Sequence, residues 1–173
     1  MANPRIETLV RNILKDYKVT KPPVPVETLA TKLGAKVRYS PFDGDISGMV
    51  YRDEDRIIIG VNSLHHTNRQ RFTIAHEIGH MLLHKGIEVH VDRTYRVNLR
   101  NDISSSAVDR EEIEANRFAA KLLMPEHMLI ADLKSHEIDF EDERRLEKLA
   151  RKYSVSIQAL TFRLTNLGPI SSS

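Results

Sequence analysis

The chain has 173 residues, 40% of them hydrophobic, which is enough for a real core and points to one domain, with at most a small appendage. A formal net charge of +2 gives no strong nucleic-acid signal, and the absence of cysteine excludes disulfides and thiolate metal sites and fits a reducing compartment. No stretch is long and apolar enough to span a membrane, and the N-terminal residues, charged every few positions, lack the apolar region of a secretory signal, so a soluble cytoplasmic protein is expected.

Ile6, Leu9, Val10, Ile13 and Leu14 recur at helical spacing and predict an amphipathic helix over 5–17, broken by the prolines of 21–25. Residues 26–35, VETLATKLGA, read as a short second helix with Gly34 as its cap, and 36–40 as a strand. Residues 48–62, GMVYRDEDRIIIGVN, hold two β-rich runs around a charged turn, a hairpin pattern. A long helix follows from about Arg69 to His84, with Gly86 at its end. Residues 87–91 and 95–99 alternate like strands, and 100–109, RNDISSSAVD, read as a loop of the kind that often serves as a lid. Residues 110–125 form the next helix, ended near Pro125. Residues 141–168 read as two helices around a turn at Tyr153–Ser156, Ser156 being the N-cap of the second, and the last residues as frayed. No internal repeat or low-complexity segment is present. The class is α+β, mostly helical, with a small antiparallel sheet. The expected organisation is a single unit over 1–173: N-terminal helices to 34, sheet and histidine helices over 35–125, and a helix-turn-helix-like pair over 140–168.

The chemistry concentrates in RFTIAHEIGHMLLH, Arg71 to His84. Residues four apart share one helix face, so His76 and His80 can hold one metal ion from the same side, while Glu77 lies off that stripe within reach of a bound water. Zinc suits imidazole donors and leaves a position for water, whose pKa it lowers towards about 7. Glu77 would then activate the zinc-bound water as general base. The plain alternative is a helix that merely carries two histidines. Against it, Phe72, Ile74, Ala75, Ile78, Met81, Leu82 and Leu83 cover nearly every other direction, and buried histidines beside a charged glutamate are costly without a partner. His84 continues the stripe, but three histidines at four-residue steps drift along the axis, so a capping or ligand-orienting role suits it better than ligation.

A catalytic zinc usually takes a third protein ligand. Glu111, Glu112 and Glu114 in EEIEANRFAAKLLMP are the candidates. Glu112 lies near the Ala115/Ala119 side, where small side chains allow close approach to the histidine helix. It also fits a rival role: Asp109-Arg110-Glu111-Glu112 has capping-box spacing, and first-turn acids favour the helix dipole.

RFTIAHEIGHMLLH and EIEANRFAAKLLMP, taken together in this order, resemble the ImmA/IrrE family of zinc metallopeptidases, and similarity extends from about residue 24 to 168. The resemblance implies a zincin-like (gluzincin-like) fold and Zn2+. It places the family's E-x-x-A-N ligand on Glu112 and makes Asn116 a partner that orients a ligand. It also implies a narrow protein substrate, a helix-turn-helix repressor or antitoxin-like regulator encoded nearby, whose cleavage derepresses mobile-element or stress-response genes. Longer family members carry a further C-terminal sensor-like domain, for which this chain leaves no room.

An extended substrate can add to a sheet edge, and the hairpin at 48–61 is the candidate edge. His90, Arg93, Arg96 and Arg100 are candidates for stabilising the oxyanion. Two other functions compete. A DNA-binding regulator would use the helix-turn-helix-like segment with Arg144, Arg145, Arg151, Lys152 and Arg163, although charged faces are usually just solvated. A partner-binding module would hold a structural metal or the vestige of a lost activity, although a purely structural site has no need of Glu77. Met81, Met124 and Met128 are expected in the core, and His65, His66, His127 and His136 at the surface.

Overall fold

The computed structural model describes residues 4–84, 89–92, 107–136 and 143–167. Among them the chain runs α1 (Pro4–Asp16), α2 (Val26–Lys32), β1 (Ala35–Ser40), β2 (Gly48–Arg52), β3 (Ile57–Asn62), α3 (Thr67–Leu83), β4 (Val89–Asp92), α4 (Ala107–Leu123), α5 (Glu126–His136), α6 (Glu143–Tyr153) and α7 (Ile157–Thr165). The class is α+β, as expected. No described helix is long and apolar enough to cross a membrane.

Ile6, Val10, Ile13 and Leu14 form the buried stripe of α1. The helix ends on Lys18, at φ 55°, with the Val19 N–H on the Leu14 carbonyl and the Lys18 N–H on that of Lys15. Helix α6 ends the same way on Ser154, at φ 53°. These left-handed closures satisfy the last carbonyls without glycine. After α2, Gly34 takes this role at φ 94°.

The sheet order is β1-β3-β2-β4. β2 and β3 form the expected antiparallel hairpin, and β4 adds antiparallel to β2. β1, however, runs parallel to β3, so the sheet is mixed rather than antiparallel. The reason lies in the connection from β1 to β2, which crosses to the far side of β3. Asn62, 2% exposed, holds that crossing: its Nδ2 donates to the carbonyls of Phe42 (3.3 Å) and Ile46 (2.8 Å), and its Oδ1 accepts from the N–H of Leu64 at 3.0 Å. The hairpin is therefore the interior of the sheet, not its edge. Among the described residues the edges are β1 and β4.

The core gathers the inner faces of α1 to α7 and of the sheet, with Ile59, Ile74, Ile78, Phe118, Leu122 and Leu129 among its fully buried members. Met81, Met124 and Met128 are buried with them, as expected. Helix α5 is not expected from the sequence, where Pro125 marks only the end of the preceding helix. The Pro125 carbonyl in fact accepts the Leu129 N–H at 3.0 Å and opens the next helix. Residues 107–109, read as loop, belong to α4. Helix α3 is capped by His84 rather than extending to Gly86; Gly86, the strand read at 95–99, the loop at 100–106 and the final GPISSS tail lie outside the described residues.

Helices α6 and α7 flank a turn at the expected place, and Ser156 Oγ accepts the Ala159 N–H at 3.1 Å, the cap read from sequence. The basic residues there do not form one free face. Arg163 is buried, its Nε donating to the Met124 carbonyl at 3.2 Å and its guanidinium 3.7 Å from Glu126. Arg151 pairs with Glu147, and Lys152 with Asp132. His66 caps α3 by accepting the Asn68 N–H. His66 and His127 are exposed, and His65 is half-buried; the side chain of His136 lies outside the described residues.

A four-donor cluster between two helices

Helix α3 packs most extensively on α4, and the contact is close because of Gly79. A Cβ there would stand 3.1 Å from Ala115 Cα and 3.2 Å from both the Ala115 carbonyl oxygen and Phe118 Cδ1. The small-residue approach anticipated at Ala115 is thus present, and one turn before Ala115 it brings Glu112 level with the histidines.

His76 and His80 are both buried on α3, and their Nε2 atoms lie 3.0 Å apart. Glu112 places Oε2 3.3 Å from His76 Nε2 and Oε1 3.2 Å from His80 Nε2. The capping-box alternative for Glu112 fails, because α4 begins at Ala107 and Glu112 sits more than a turn inside it. Asn116, one turn further on, has Oδ1 2.9 Å from His76 Nδ1. An amide oxygen only accepts, so His76 carries its proton on Nδ1 and turns the Nε2 lone pair into the cluster.

The fourth member is His90 of β4. Its Nε2 is 3.1 Å from Glu112 Oε1, and its ring stacks on His80 at 3.7 Å between centroids and 24° between planes. Strand pairing explains its aim: His90 stands opposite Val50, and directly opposed residues project to the same face. Val50 is buried, so this face looks into the protein, whereas the neighbouring pair Tyr51 and Val89 is exposed. From sequence His90 is an oxyanion candidate only; its one signal as a ligand is a histidine between two valines in an alternating strand. Arg93, Arg96 and Arg100 lie outside the described residues.

One ligand atom each from His76, His80, His90 and Glu112 falls within 4.8 Å of all the others. Donors about 2.0 Å from a tetrahedral zinc are about 3.3 Å from each other, so the separations of 3.0, 3.2 and 3.3 Å among His76, His80 and Glu112 fit such an ion. Protonation suits it too. Burial, above all, lowers the pKa of His80 to about 4; a hydrogen bond with Glu112 opposes this, and His76 and His90 add to it, so the ring is neutral at pH 7. Burial alone would raise the Glu112 carboxyl, but the close approach of the His76, His80 and His90 imidazoles outweighs it and holds Glu112 well below the usual carboxylate range.

Glu77 is fully buried beside this cluster. Gly48 of β2 lies against it: a Cβ there would collide with Thr73 Cγ2, stand 2.9 Å from the Gly60 carbonyl and reach within 3.4 Å of Glu77 Oε1. Arg52, at the other end of β2, donates to the His80 carbonyl at 3.0 Å and fastens the sheet to the last turn of α3. His84 stays outside the four-donor group. It caps α3 and places Nε2 3.2 Å from the Glu111 carbonyl, with the carboxylates of Glu111 and Glu114 each 3.9 Å from its ring, so these two acids face His84 rather than the cluster.

Residues 30–165 match the IrrE N-terminal-like domain family. The chain is 28% identical over 132 residues to metallopeptidase ImmA of Bacillus subtilis, covering 74% of this chain and 68% of that one. It is 32% identical over 124 residues to the radiation response metalloprotease IrrE of Deinococcus radiodurans, covering 68% of this chain but 34% of that protein. An uncharacterized immunity region protein 2 of Bacillus phage phi105 is 27% identical over 139 residues, covering 79% of this chain and 78% of the phage protein. A Mycobacterium tuberculosis transcriptional regulator shares the fold, with a TM-score of 0.63 over 96% of this chain and 48% of that one, at 16% identity. The chain therefore spans about a third of the Deinococcus protein and about half of the mycobacterial one.

Proposed function

The chain belongs to the ImmA/IrrE family of metallopeptidases, and from that premise we propose that it is a zinc-dependent endopeptidase with His76, His80 and Glu112 as metal ligands and Glu77 as general base. The observation that carries this reading is the convergence of two imidazole nitrogens and a carboxylate at 3.0–3.3 Å, with Glu77 next to the first histidine on the same helix.

A bound zinc would supply Lewis acidity and lower the pKa of water at the site. The remaining work falls to the chain. Asn116 fixes the tautomer and plane of His76. Gly79 and Ala115 hold α3 and α4 close enough for Glu112 to reach both histidines. The Glu77 carboxylate takes the proton of the attacking water and hands it to the departing amine. Its burial beneath Gly48 keeps bulk water away from that proton.

The substrate we propose is a helix-turn-helix repressor or antitoxin-like regulator, whose cleavage releases mobile-element or stress-response genes. The names of the relatives, an immunity-region protein and a radiation response metalloprotease, support that setting. The test compares wild-type protein with Glu77→Gln for zinc content and for cleavage of a repressor encoded beside it. The variant should keep about one zinc per chain and lose cleavage. Persistent cleavage would remove Glu77 from its role, and a wild-type chain without zinc would remove the site.

A further inference from the structure

Three protein ligands suffice for a catalytic zinc, yet four donors converge here. We infer that His90 is a displaceable fourth ligand, so that β4 is a latch that closes the metal site with the chain's own side chain. The inference rests on the metal-site reading above.

Three features support it. Backbone pairing, rather than a chance rotamer, aims His90: its place opposite the buried Val50 sends the imidazole towards α3. The imidazole has reached the other donors, with Nε2 3.1 Å from Glu112 and its ring against His80. Four protein donors complete a tetrahedron, the pattern of a structural site, and leave no position for the water that hydrolysis needs.

The anchoring of His90 is weak by comparison with that of the other donors. His76 and His80 sit on a buried helix, and Glu112 on the helix packed against it. β4 is four residues long and, among the described residues, pairs only with β2, and Val89 beside His90 is 51% exposed. Release of β4 would withdraw His90 and also bare the β2 edge from Gly48 to Tyr51, beside Glu77, where an extended peptide can pair. Opening the metal position and opening a substrate edge are then one movement.

The test uses the full chain loaded with cobalt(II), whose visible spectrum reports coordination number. The wild-type spectrum should be that of a four-coordinate site and insensitive to added imidazole. His90→Ala should still bind cobalt, show an altered spectrum, and return towards the wild-type form when imidazole fills the vacated position. His90→Gln provides the same comparison if the alanine variant does not fold. Identical spectra for wild type and variant, or a wild-type site that itself takes up imidazole, would overturn the latch while leaving the three-ligand reading intact. A wild-type chain that binds no cobalt would remove both.

Discussion

Gly79 lies directly against Ala115, the atoms facing its missing Cβ being the Cα and carbonyl oxygen of the opposite helix at 3.1 and 3.2 Å. Alanine favours a helix interior over glycine by about 1 kcal/mol, so Gly79→Ala would stabilise an isolated α3. Here the methyl meets backbone, which moves only if the whole of α4 moves. The expected outcome is a displaced Glu112 and metal affinity at least tenfold weaker, measured by competition with a chromogenic chelator. Unchanged affinity would mean that the helix contact does not set the ligand geometry.

Asn116 touches the proposed metal only through His76. Outer partners of ligating histidines typically contribute 10–100-fold in metal affinity or activity. Asn116→Ala should fall in that range while the protein remains folded, because Asn116 is only half-buried. Asn116→Asp, which keeps an acceptor 2.9 Å from Nδ1, should recover most of the loss. Equal affinity in all three proteins would show that His76 needs no orienting partner.

Without metal, stability should fall with acid. His80 ionises at about 4 in the folded chain and near 6.5 when unfolded. Between those values the unfolded chain binds a proton that the folded chain refuses. Stability is thus unaffected by His80 above about pH 6.5, and declines as pH falls from there towards 4, by about 3 kcal/mol in total. Glu112 acts in the same direction at lower pH: its folded carboxyl titrates below its unfolded value, so the stability it gives is present above about pH 4.5 and lost beneath it. Urea unfolding of the chelator-treated protein at pH 7.5, 6.0 and 5.0 reads the first effect, and a flat profile would contradict the burial of a neutral His80.

Arg163 separates the structural from the DNA-binding use of the C-terminal helices. Buried against the Met124 carbonyl, it should act through the fold. Arg163→Leu should lower stability by about 1–3 kcal/mol, since a buried carbonyl loses its donor. Thermal melting checks the cost. A fully stable variant with selectively lost, salt-dependent DNA binding would reverse the assignment.

Much of this protein is legible in one dimension. The stripe of α1, the Ser156 cap, the β2–β3 hairpin and the pairing of His76 with His80 are local facts, set by spacing along the chain, and the mostly helical α+β class follows from them. Hidden from that view are the endings of α1 and α6 on Lys18 and Ser154, where no glycine marks the turn, and helix α5, whose opening proline reads as a stop. The parallel pairing of β1 also depends on where Asn62 holds the crossing loop, which no period in the sequence announces. Glu112 shows the boundary most sharply. Its spacing from Asp109 suits a helix cap, and only the start of α4 at Ala107 and the closeness allowed by Gly79 turn it towards the histidines. His90 comes from a different strand altogether, and only its register opposite Val50 delivers it. The sequence by itself determined the chemistry on one helix, because four residues make one turn. The tertiary structure alone decided which residues from α4 and β4 meet that chemistry, because their approach depends on packing and pairing between segments far apart in the chain.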